Sequence, residues 1–397
     1  MNPFQDTLNA LSAQNKRRTL TRAGGLDFSS NDYLGLANHT GIRTTLIKAL
    51  ENGLPLGSGG SRLLRGNHPA HEDLETFAAD FFGAEQALFM GSGYLANYSV
   101  FTTLPARGDV IVYDALLHAS AKEGLHASKA KSIKFAHNDV EDCKAVIKRA
   151  RTGGAKKVWI AVESLYSMDG DVAPLADSMY LAEQYDGYLI VDEAHATGIH
   201  GPNGRGLSTV FEGRDNLIAV HTCGKALGQS GALVTLPAVL KDYLINCARS
   251  FIYTTSPPPL CAVAVKAALD VVDQDPQRRT DLLSLIKYAH MVFDNVTGSS
   301  QILPLMVGND GAAFELAKNL QAQGYDIRAI RTPTVPKNTA RLRLSITLNV
   351  TREDIMGLAQ ALAQTQAQTQ AQAQAQTQAQ TQAQTQAQLN QIEAKLI

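Results

Sequence analysis

Between about residues 85 and 235, short runs of apolar, β-branched residues alternate with longer stretches in which apolar residues recur at the helical period. This alternation is typical of parallel strands joined by crossover helices. Runs such as WIAV and LIV are continuously apolar, as burial between two helical layers requires. The pattern predicts an α/β fold in which a mostly parallel central sheet is sandwiched by helices. The predicted strands are QALFM, DVIVYD, KKVWIAV, GYLIVD, NLIAVHT and GALVTL.

A second unit begins near residue 270, where DQDPQRRTDLLSLIKYAH predicts a helix and shorter strand-like pieces such as ARLRLSIT follow. From Gln364 to Gln388 every second residue is Gln, with only Ala or Thr between. Such a run offers no apolar face for a core and predicts a solvated tail, either disordered or loosely helical. The predicted units are an N-terminal segment over 1–35, a large domain over 36–270, a small C-terminal α+β domain over 271–362 and the tail over 363–397.

Composition and charge argue against several classes of partner for this chain. The 36 Lys and Arg residues balance 37 Asp and Glu residues without a dense basic run, which argues against a nucleic-acid partner. No stretch has the apolar length of a membrane helix or a signal-peptide core, so a soluble, cytoplasmic enzyme without a membrane partner is expected. The four cysteines lack the paired spacing of metal ligands, and no metal site is predicted.

Two polar residues at predicted strand ends are the first candidates for chemistry, because ligands of open α/β sheets bind outside the carboxyl ends of the strands. Lys225 follows NLIAVHT among small residues that leave room for a flat ligand, and a lysine there can form an imine. An isolated lysine is more often a solvated surface charge. Asp192 ends the apolar strand GYLIVD, where a carboxylate needs a cation or strong donor unless it caps a helix.

Further candidates surround these two. Ser92, Gly93 and Tyr94 in ALFMGSGYLAN offer backbone donors at a helix start, which suits a phosphate, although such turns are common. His118 could stack on a planar ring, and His195 could hydrogen-bond one, but either could be an ordinary loop histidine.

Two more segments contain residues that could bind a ligand. In VESLYSMDGD, a strand ends at Glu163, and Ser167 and Asp169 could hydrogen-bond a bound ring, although turn chemistry alone also explains them. In AIRTPTVPKNTARLRLS, Arg331 and Arg343 lie on either side of Thr334 among apolar residues. That placement favours capture of a carboxylate, with surface ion pairing as the alternative.

Taken together, the ordered segments resemble the alpha-oxoamine synthases from about residue 1 to residue 362. The resemblance implies the aspartate-aminotransferase fold (fold type I), pyridoxal 5'-phosphate (PLP) as cofactor, and condensation of an amino acid with an acyl thioester. The segments that carry it are SNDYLGL, GSGGSR, SGYLAN, HAS, ESLYSMDGD, VDEAHATG, HTCGKALG and ARSFIYTTSPPP.

The resemblance implies a role for each candidate. Lys225 is the Schiff-base lysine, Asp192 pairs with the pyridinium nitrogen, and His118 stacks over the ring and assists catalysis. Thr254 or Thr255 reaches the phosphate of a neighbouring subunit, which implies a homodimer with active sites at its interface. The remaining implied cofactor contacts are Gly93, Tyr94, Ser167, His195 and Thr222, and the implied substrate contacts are Asn31, His118, Thr334, Arg343 and one of Arg17 and Arg18.

Within the family, GSGGSR, SFIYTTSPPP and IRTPTVP are most similar to the biotin-pathway members. Those enzymes join L-alanine to a pimeloyl thioester of coenzyme A (CoA) or of a carrier protein. Other members use glycine with acetyl-CoA or succinyl-CoA, or serine with palmitoyl-CoA, and share nearly all the cofactor residues. The glycine and acetyl-CoA ligase is therefore the alternative. The segment HPAHEDLE departs from many biotin-pathway sequences, which bears on the acyl chain and not on the cofactor.

Overall fold

The computed structural model describes residues 2–396, so the first residue of the predicted N-terminal segment and the last residue of the predicted tail lie outside the described residues. The strands, numbered in chain order, are β1 (Leu26–Asp27), β2 (Gln86–Met90), β3 (Val110–Asp114), β4 (Lys131–Phe135), β5 (Val158–Glu163), β6 (Tyr188–Asp192), β7 (Leu217–Thr222), β8 (Ala232–Leu236), β9 (Ile302–Gly308), β10 (Tyr325–Asp326), β11 (Arg328–Ile330) and β12 (Ala340–Ser345). The helices are α1 (Pro3–Ala13), α2 (Thr40–Glu51), α3 (Pro69–Phe82), α4 (Gly93–Thr103), α5 (Ala119–Ala127), α6 (Val140–Thr152), α7 (Leu175–Gln184), α8 (Ala238–Cys247), α9 (Arg249–Ile252), α10 (Pro259–Gln274), α11 (Pro276–Val292), α12 (Asp310–Ala322) and α13 (Arg352–Leu396).

The central sheet has seven strands in the order β2-β8-β7-β6-β5-β3-β4. Only β8 runs against its neighbours, antiparallel to both β2 and β7. The six predicted strands are confirmed as β2, β3, β5, β6, β7 and β8. The sequence pattern missed β4, whose sequence KSIKF is largely polar because this edge strand pairs only with β3 and buries only Phe135.

Helices cover both faces of this sheet. Consecutive residues of one strand belong to opposite cores, as the alternation of side chains along a strand requires. Trp159 packs in the cluster that contains Val100 of α4, whereas Ile160 packs in the cluster that contains Val146 of α6. Strand β5 is buried along its whole length. Its continuous apolar run is therefore explained by burial between two helical layers, as predicted.

The C-terminal part contains an antiparallel sheet in the order β11-β12-β9, and the predicted strand ARLRLSIT is confirmed as β12. The N-terminal chain also joins this part. Strand β1 pairs in parallel with β10, and the Ser345 N–H donates to the Phe28 carbonyl oxygen at 2.9 Å. These bonds bring the SNDYLGL segment between the central sheet and the C-terminal part. The predicted domain boundaries themselves stay a prediction.

Helix α13 begins at Arg352 and continues through the Gln-rich run. Its first turns are anchored, because Ile355, Leu358 and Leu362 are buried. After Thr365 every described side chain is exposed, so that stretch of the helix is polar on all sides. Among the described residues, no helix is both long enough and apolar enough to cross a membrane.

Deleting residues 368–397 is expected to leave turnover and the melting temperature unchanged, because the described side chains removed are solvent-exposed. In contrast, Leu358→Ala removes a side chain that is only 1% exposed and should lower the free energy of unfolding by about 2–5 kcal/mol. Steady-state kinetics and thermal unfolding of both variants check the two expectations. If the truncated chain kept its melting temperature but lost activity, the tail would have a catalytic role that its exposure does not predict.

Candidate active site

An open cavity of about 320 Å³ lies where β6 and β7 end and α4 and α5 begin. Lys225, Asp192 and His118, the three residues predicted to act on a ring, all line it. The amine and the carboxylate that the sequence placed at separate strand ends therefore face one space. The lining residues are Asn31, Ser92, Gly93, Tyr94, Asn97, His118, Ser120, Asp192, Ala194, Thr222, Gly224, Lys225, Gln229, Ser230 and Gly231.

Asp192 is the last residue of β6 and is only 5% exposed. Its Oδ2 accepts a hydrogen bond from Asn97 Nδ2 at 2.7 Å, and its Oδ1 accepts one from the Ala194 N–H at 2.9 Å. Two donors hold this buried carboxylate in place and offset part of the cost of its desolvation. Sequence reasoning missed Asn97, because an amide one turn inside a helix has no strand-end signal.

His118 is the N-cap of α5 and accepts a hydrogen bond from the Ser120 N–H at its Nδ1. Ser120 Oγ also lies 2.8 Å from this nitrogen and accepts from Asn97 Nδ2 at 3.0 Å. Burial lowers the pKa of His118, an effect that Asp192 opposes and Lys225 reinforces. Burial therefore favours the neutral ring, and the hydrogen bonds hold it in one orientation, as a flat stacking partner requires.

Lys225 follows β7, and its Nζ lies 2.9 Å from His195 Nε2. Burial lowers the pKa of Lys225 to about 8, although the nearby carboxylates of Asp192 and Glu163 raise it. A larger share of this amine is therefore neutral near pH 7 than for an exposed lysine. Only the neutral amine can attack a carbonyl group.

A hydrogen-bonded chain connects Lys225 to the C-terminal part. Tyr33 OH donates to Asn31 Oδ1 at 2.8 Å and lies 2.8 Å from His195 Nδ1. Burial lowers the pKa of His195 well below its usual value, and Lys225 lowers it further. A neutral His195 can then donate from Nδ1 to Tyr33 and accept from Lys225 at Nε2. Arg343 Nη2 completes the chain by donating to Asn31 Oδ1 at 3.1 Å and to Tyr33 OH at 3.2 Å.

The other two nitrogens of Arg343 also donate hydrogen bonds. Its Nε donates to the Ser167 carbonyl oxygen at 2.6 Å, and its Nη1 donates to Ser345 Oγ at 2.8 Å. Arg343 therefore positions Asn31, which lines the cavity, from a buried place behind it. The substrate contact that the sequence predicts for Arg343 stays a prediction. Tyr33 was not singled out from the sequence, although it stands two residues after Asn31 in SNDYLGL.

A second cavity of about 530 Å³ shares His118 with the first as a lining residue. Ser167 and Thr334 line this second cavity and not the first. Glu163 lies behind the site, paired in register with Asp192 across β5 and β6 and buried. Burial raises the pKa of Glu163 to about 8, and the charge of Asp192 adds to the effect.

Some predicted residues lie apart from both cavities. Arg17 and Arg18 are exposed in the chain between α1 and β1, and neither lines a cavity described here. Thr255 is exposed and Thr254 half-buried, outside the same two spaces. Substrate contact by the arginines and phosphate contact by a threonine stay predictions.

The residues of the first cavity fit PLP, the cofactor predicted from the sequence. An amine for the aldehyde, an anchored carboxylate for the ring nitrogen and a helix start for the phosphate face one space. Ser92 caps α4 by accepting from the Leu95 N–H, which leaves the N–H groups of Gly93 and Tyr94 for a ligand. A side chain at position 93 would not fit, because its Cβ would lie 2.3 Å from Thr222 Cγ2.

Gly93→Ala is accordingly expected to weaken cofactor binding about tenfold or more, since the methyl group must displace Thr222 or the first turn of α4. Titration of the apoprotein with PLP, followed by absorbance, measures the dissociation constant. Gly24→Ala is the matched control, because nothing lies within 4 Å of a Cβ at that position. Equal affinities of the two variants would show that position 93 does not shape the cofactor site.

Comparisons with known proteins agree with this geometry. The family model for aminotransferase class I and II matches residues 23–362. An 8-amino-7-oxononanoate synthase of Chromobacterium violaceum is 43% identical over 331 residues, covering 81% of this chain and 84% of the relative. A putative 8-amino-7-oxononanoate synthase of Geobacillus kaustophilus is 41% identical over 337 residues, covering 83% of this chain and 86% of the relative.

Solved structures share the fold. The crystal structure of 8-amino-7-oxononanoate synthase from Francisella tularensis matches with a TM-score of 0.73 and 27% identity, covering 86% of this chain and 97% of that one. A serine palmitoyltransferase of Sphingomonas wittichii has a TM-score of 0.83 at 24% identity, covering 92% and 97% of the two chains. The family model and the relatives above 40% identity both match most of the chain and indicate the same family. The chain belongs to the class I and II aminotransferase family, within its alpha-oxoamine synthase branch.

Proposed function

We propose that this chain is a PLP-dependent 8-amino-7-oxononanoate synthase, which condenses L-alanine with a pimeloyl thioester and releases CO2 and the free thiol. The observation that carries the proposal is the meeting of Lys225, Asp192 and His118 in one cavity. Relatives that are about 40% identical over most of the chain carry the name of this enzyme, which supports the choice within the family.

Each part of the cofactor has a partner in the site. Lys225 supplies the amine for the aldehyde, and Asp192 pairs with the ring nitrogen. The free N–H groups of Gly93 and Tyr94, at the positive end of α4, receive the phosphate. Once bound, PLP supplies an electron sink for the charge left at the alpha carbon of an amino acid. The proposed secondary contacts are His118 over the ring, with Ser167, His195 and Thr222 around it.

Lys225 also accepts the proton of the alanine alpha carbon. Its pKa of about 8 lies near neutral pH, where an amine can take up and return a proton with little cost. The hydrogen bond to His195 orients the amine, and Tyr33 holds His195 in turn. Asn31, positioned by Arg343, faces the substrate from the same cavity.

The assembly completes the proposal. A homodimer with active sites at its interface would let the exposed Thr255 reach the phosphate of the neighbouring subunit. The proposed substrate contacts also include Thr334 and one of Arg17 and Arg18. The cytoplasmic location predicted from the sequence stays a prediction.

A substrate panel tests the activity. The purified full chain, loaded with PLP, is assayed with alanine, glycine and serine against pimeloyl-CoA, pimeloyl carrier protein and acetyl-CoA. The proposal predicts that alanine with a pimeloyl thioester gives the highest kcat/KM and yields 8-amino-7-oxononanoate by mass spectrometry. A preference for glycine with acetyl-CoA would replace it with the ligase alternative.

A further inference from the structure

We propose that the second cavity binds the acyl chain of the donor and that Lys122 binds the carboxylate at the far end of that chain. This inference rests on the proposed function, since an oxononanoate product carries a carboxylate separated from its ketone by a run of methylene groups. The proposal adds a residue that selects an acidic acyl donor over a plain fatty one.

The second cavity has the position that an acyl chain needs. His118 forms part of its wall and part of the wall of the cofactor cavity, so the two spaces meet at this side chain. Much of the remaining wall is apolar and suits methylene groups. The apolar lining residues are Leu116, Leu117, Ala119, Tyr166, Met168, Pro333, Val335 and Pro336.

Lys122 lies on the wall of the second cavity, about one helical turn along the chain from His118. It follows His118 by four residues at the start of α5, so both side chains lie on one face of the helix. Four residues of helix rise about 6 Å, a separation that a chain of several carbons can bridge. Lys122 is thus a cationic residue of the wall, about one helical turn beyond His118.

The ammonium group of Lys122 has unmet hydrogen-bonding capacity. It is half-buried, and its Nζ donates to the Ala115 carbonyl oxygen at 3.1 Å. Among the side chains that the structure describes, no carboxylate lies within 4 Å of it. An ammonium group has three donors, so a carboxylate in the cavity would meet a strong partner.

The other charges on the cavity wall are already paired. Arg341 is buried and forms an ion pair with Asp169, so neither group is available to a ligand without breaking that pair. The carboxylates of Glu163 and Asp114 lie near enough to Lys122 to raise its pKa, while burial, the larger effect, lowers it. Among the described lining residues, Lys122 is therefore the cation left to meet an anionic ligand.

The test compares donors of equal length with and without the terminal carboxylate. The full-length, PLP-loaded wild type and Lys122→Met are assayed with alanine and either pimeloyl-CoA or heptanoyl-CoA. We expect Lys122→Met to raise KM for pimeloyl-CoA about tenfold or more, with little change in kcat and no rise for heptanoyl-CoA. Lys122→Arg should keep most of the preference for the carboxylate, and Lys129→Met, at an exposed position just beyond α5, should behave as wild type.

A binding measurement separates this inference from the proposed function. Calorimetry with thioether analogues of the two donors, which cannot react, gives their affinities whether or not turnover occurs. Tighter binding of the dicarboxylic analogue, lost in Lys122→Met, supports the inference even if alanine proves to be the wrong substrate. Equal affinity of the wild type for both analogues, or an unchanged preference in Lys122→Met, overturns it.

Discussion

Lys225→Ala is expected to lower the turnover of alanine and a pimeloyl thioester by at least about 10³-fold, because the proposed function gives this one amine the roles of cofactor anchor and proton acceptor. The wild-type amine is suited to both tasks by burial, which lowers its pKa to about 8. No other lysine lines the first cavity among the described residues. The measurements are kcat under saturating substrates and the absorbance band of the lysine-bound cofactor.

The control for this variant is Lys129→Ala, which removes an exposed lysine distant from the carboxyl ends of β6 and β7. The control should keep both the band and the activity. Loss of the band with full retention of kcat would restrict Lys225 to anchoring. Retention of both would remove Lys225 from the chemistry altogether.

Much of the fold was predictable because burial on both faces leaves an unambiguous pattern. Strands β5 and β6 are continuously apolar and bounded by turn residues, and their positions were recognised to within a residue or two. The direction of β8 was not predictable, because a fully buried strand has the same composition in either orientation. The edge strand β4 was not predicted, because it pairs on one side only and most of its side chains are exposed. Such a strand lacks the apolar run by which the buried strands were recognised.

The residues of the candidate site also fall into two groups, those that were recognisable from the sequence and those that were not. Lys225 and Asp192 were recognisable because a charged residue directly after a buried strand needs a partner. The side chains that hydrogen-bond to Asp192 and to His195, the partner of Lys225, were not recognisable in this way. Asn97 lies inside α4, and Tyr33 reaches His195 across 162 residues of sequence. Their roles depend on which side chains face each other in the folded chain, and a single sequence does not specify that.

Lys122 illustrates the same limit. In the sequence it is one lysine of an ordinary helical stretch, and most lysines of this kind are solvated. Only the folded chain places it on the wall of a cavity with one neutral hydrogen-bond partner. The alpha-oxoamine synthase resemblance predicts cofactor residues, whereas the place of Lys122 on a cavity wall depends on how the chain folds.

Asp192→Asn is expected to reduce kcat on the order of 10²- to 10³-fold while leaving the fold and cofactor binding largely intact. The change is nearly isosteric, and the side-chain oxygen that remains can still accept from Asn97 or from the Ala194 N–H. What is lost is the anion that would keep the ring nitrogen protonated. Asp186→Asn, at a fully exposed position, is the matched control.

The same variant makes a prediction about pH whose sign follows from the site. In the wild type the Asp192 carboxylate raises the pKa of Lys225 against the larger effect of burial, and the balance lies at about 8. Removing that charge disfavours the ammonium form, so the pKa of Lys225 should fall and the neutral amine should persist to lower pH. The rate at which the apoprotein takes up PLP, measured against pH, should therefore rise at lower pH in Asp192→Asn than in the wild type. An unchanged profile together with an unchanged kcat would mean that the carboxylate neither faces the ring nor acts on the lysine.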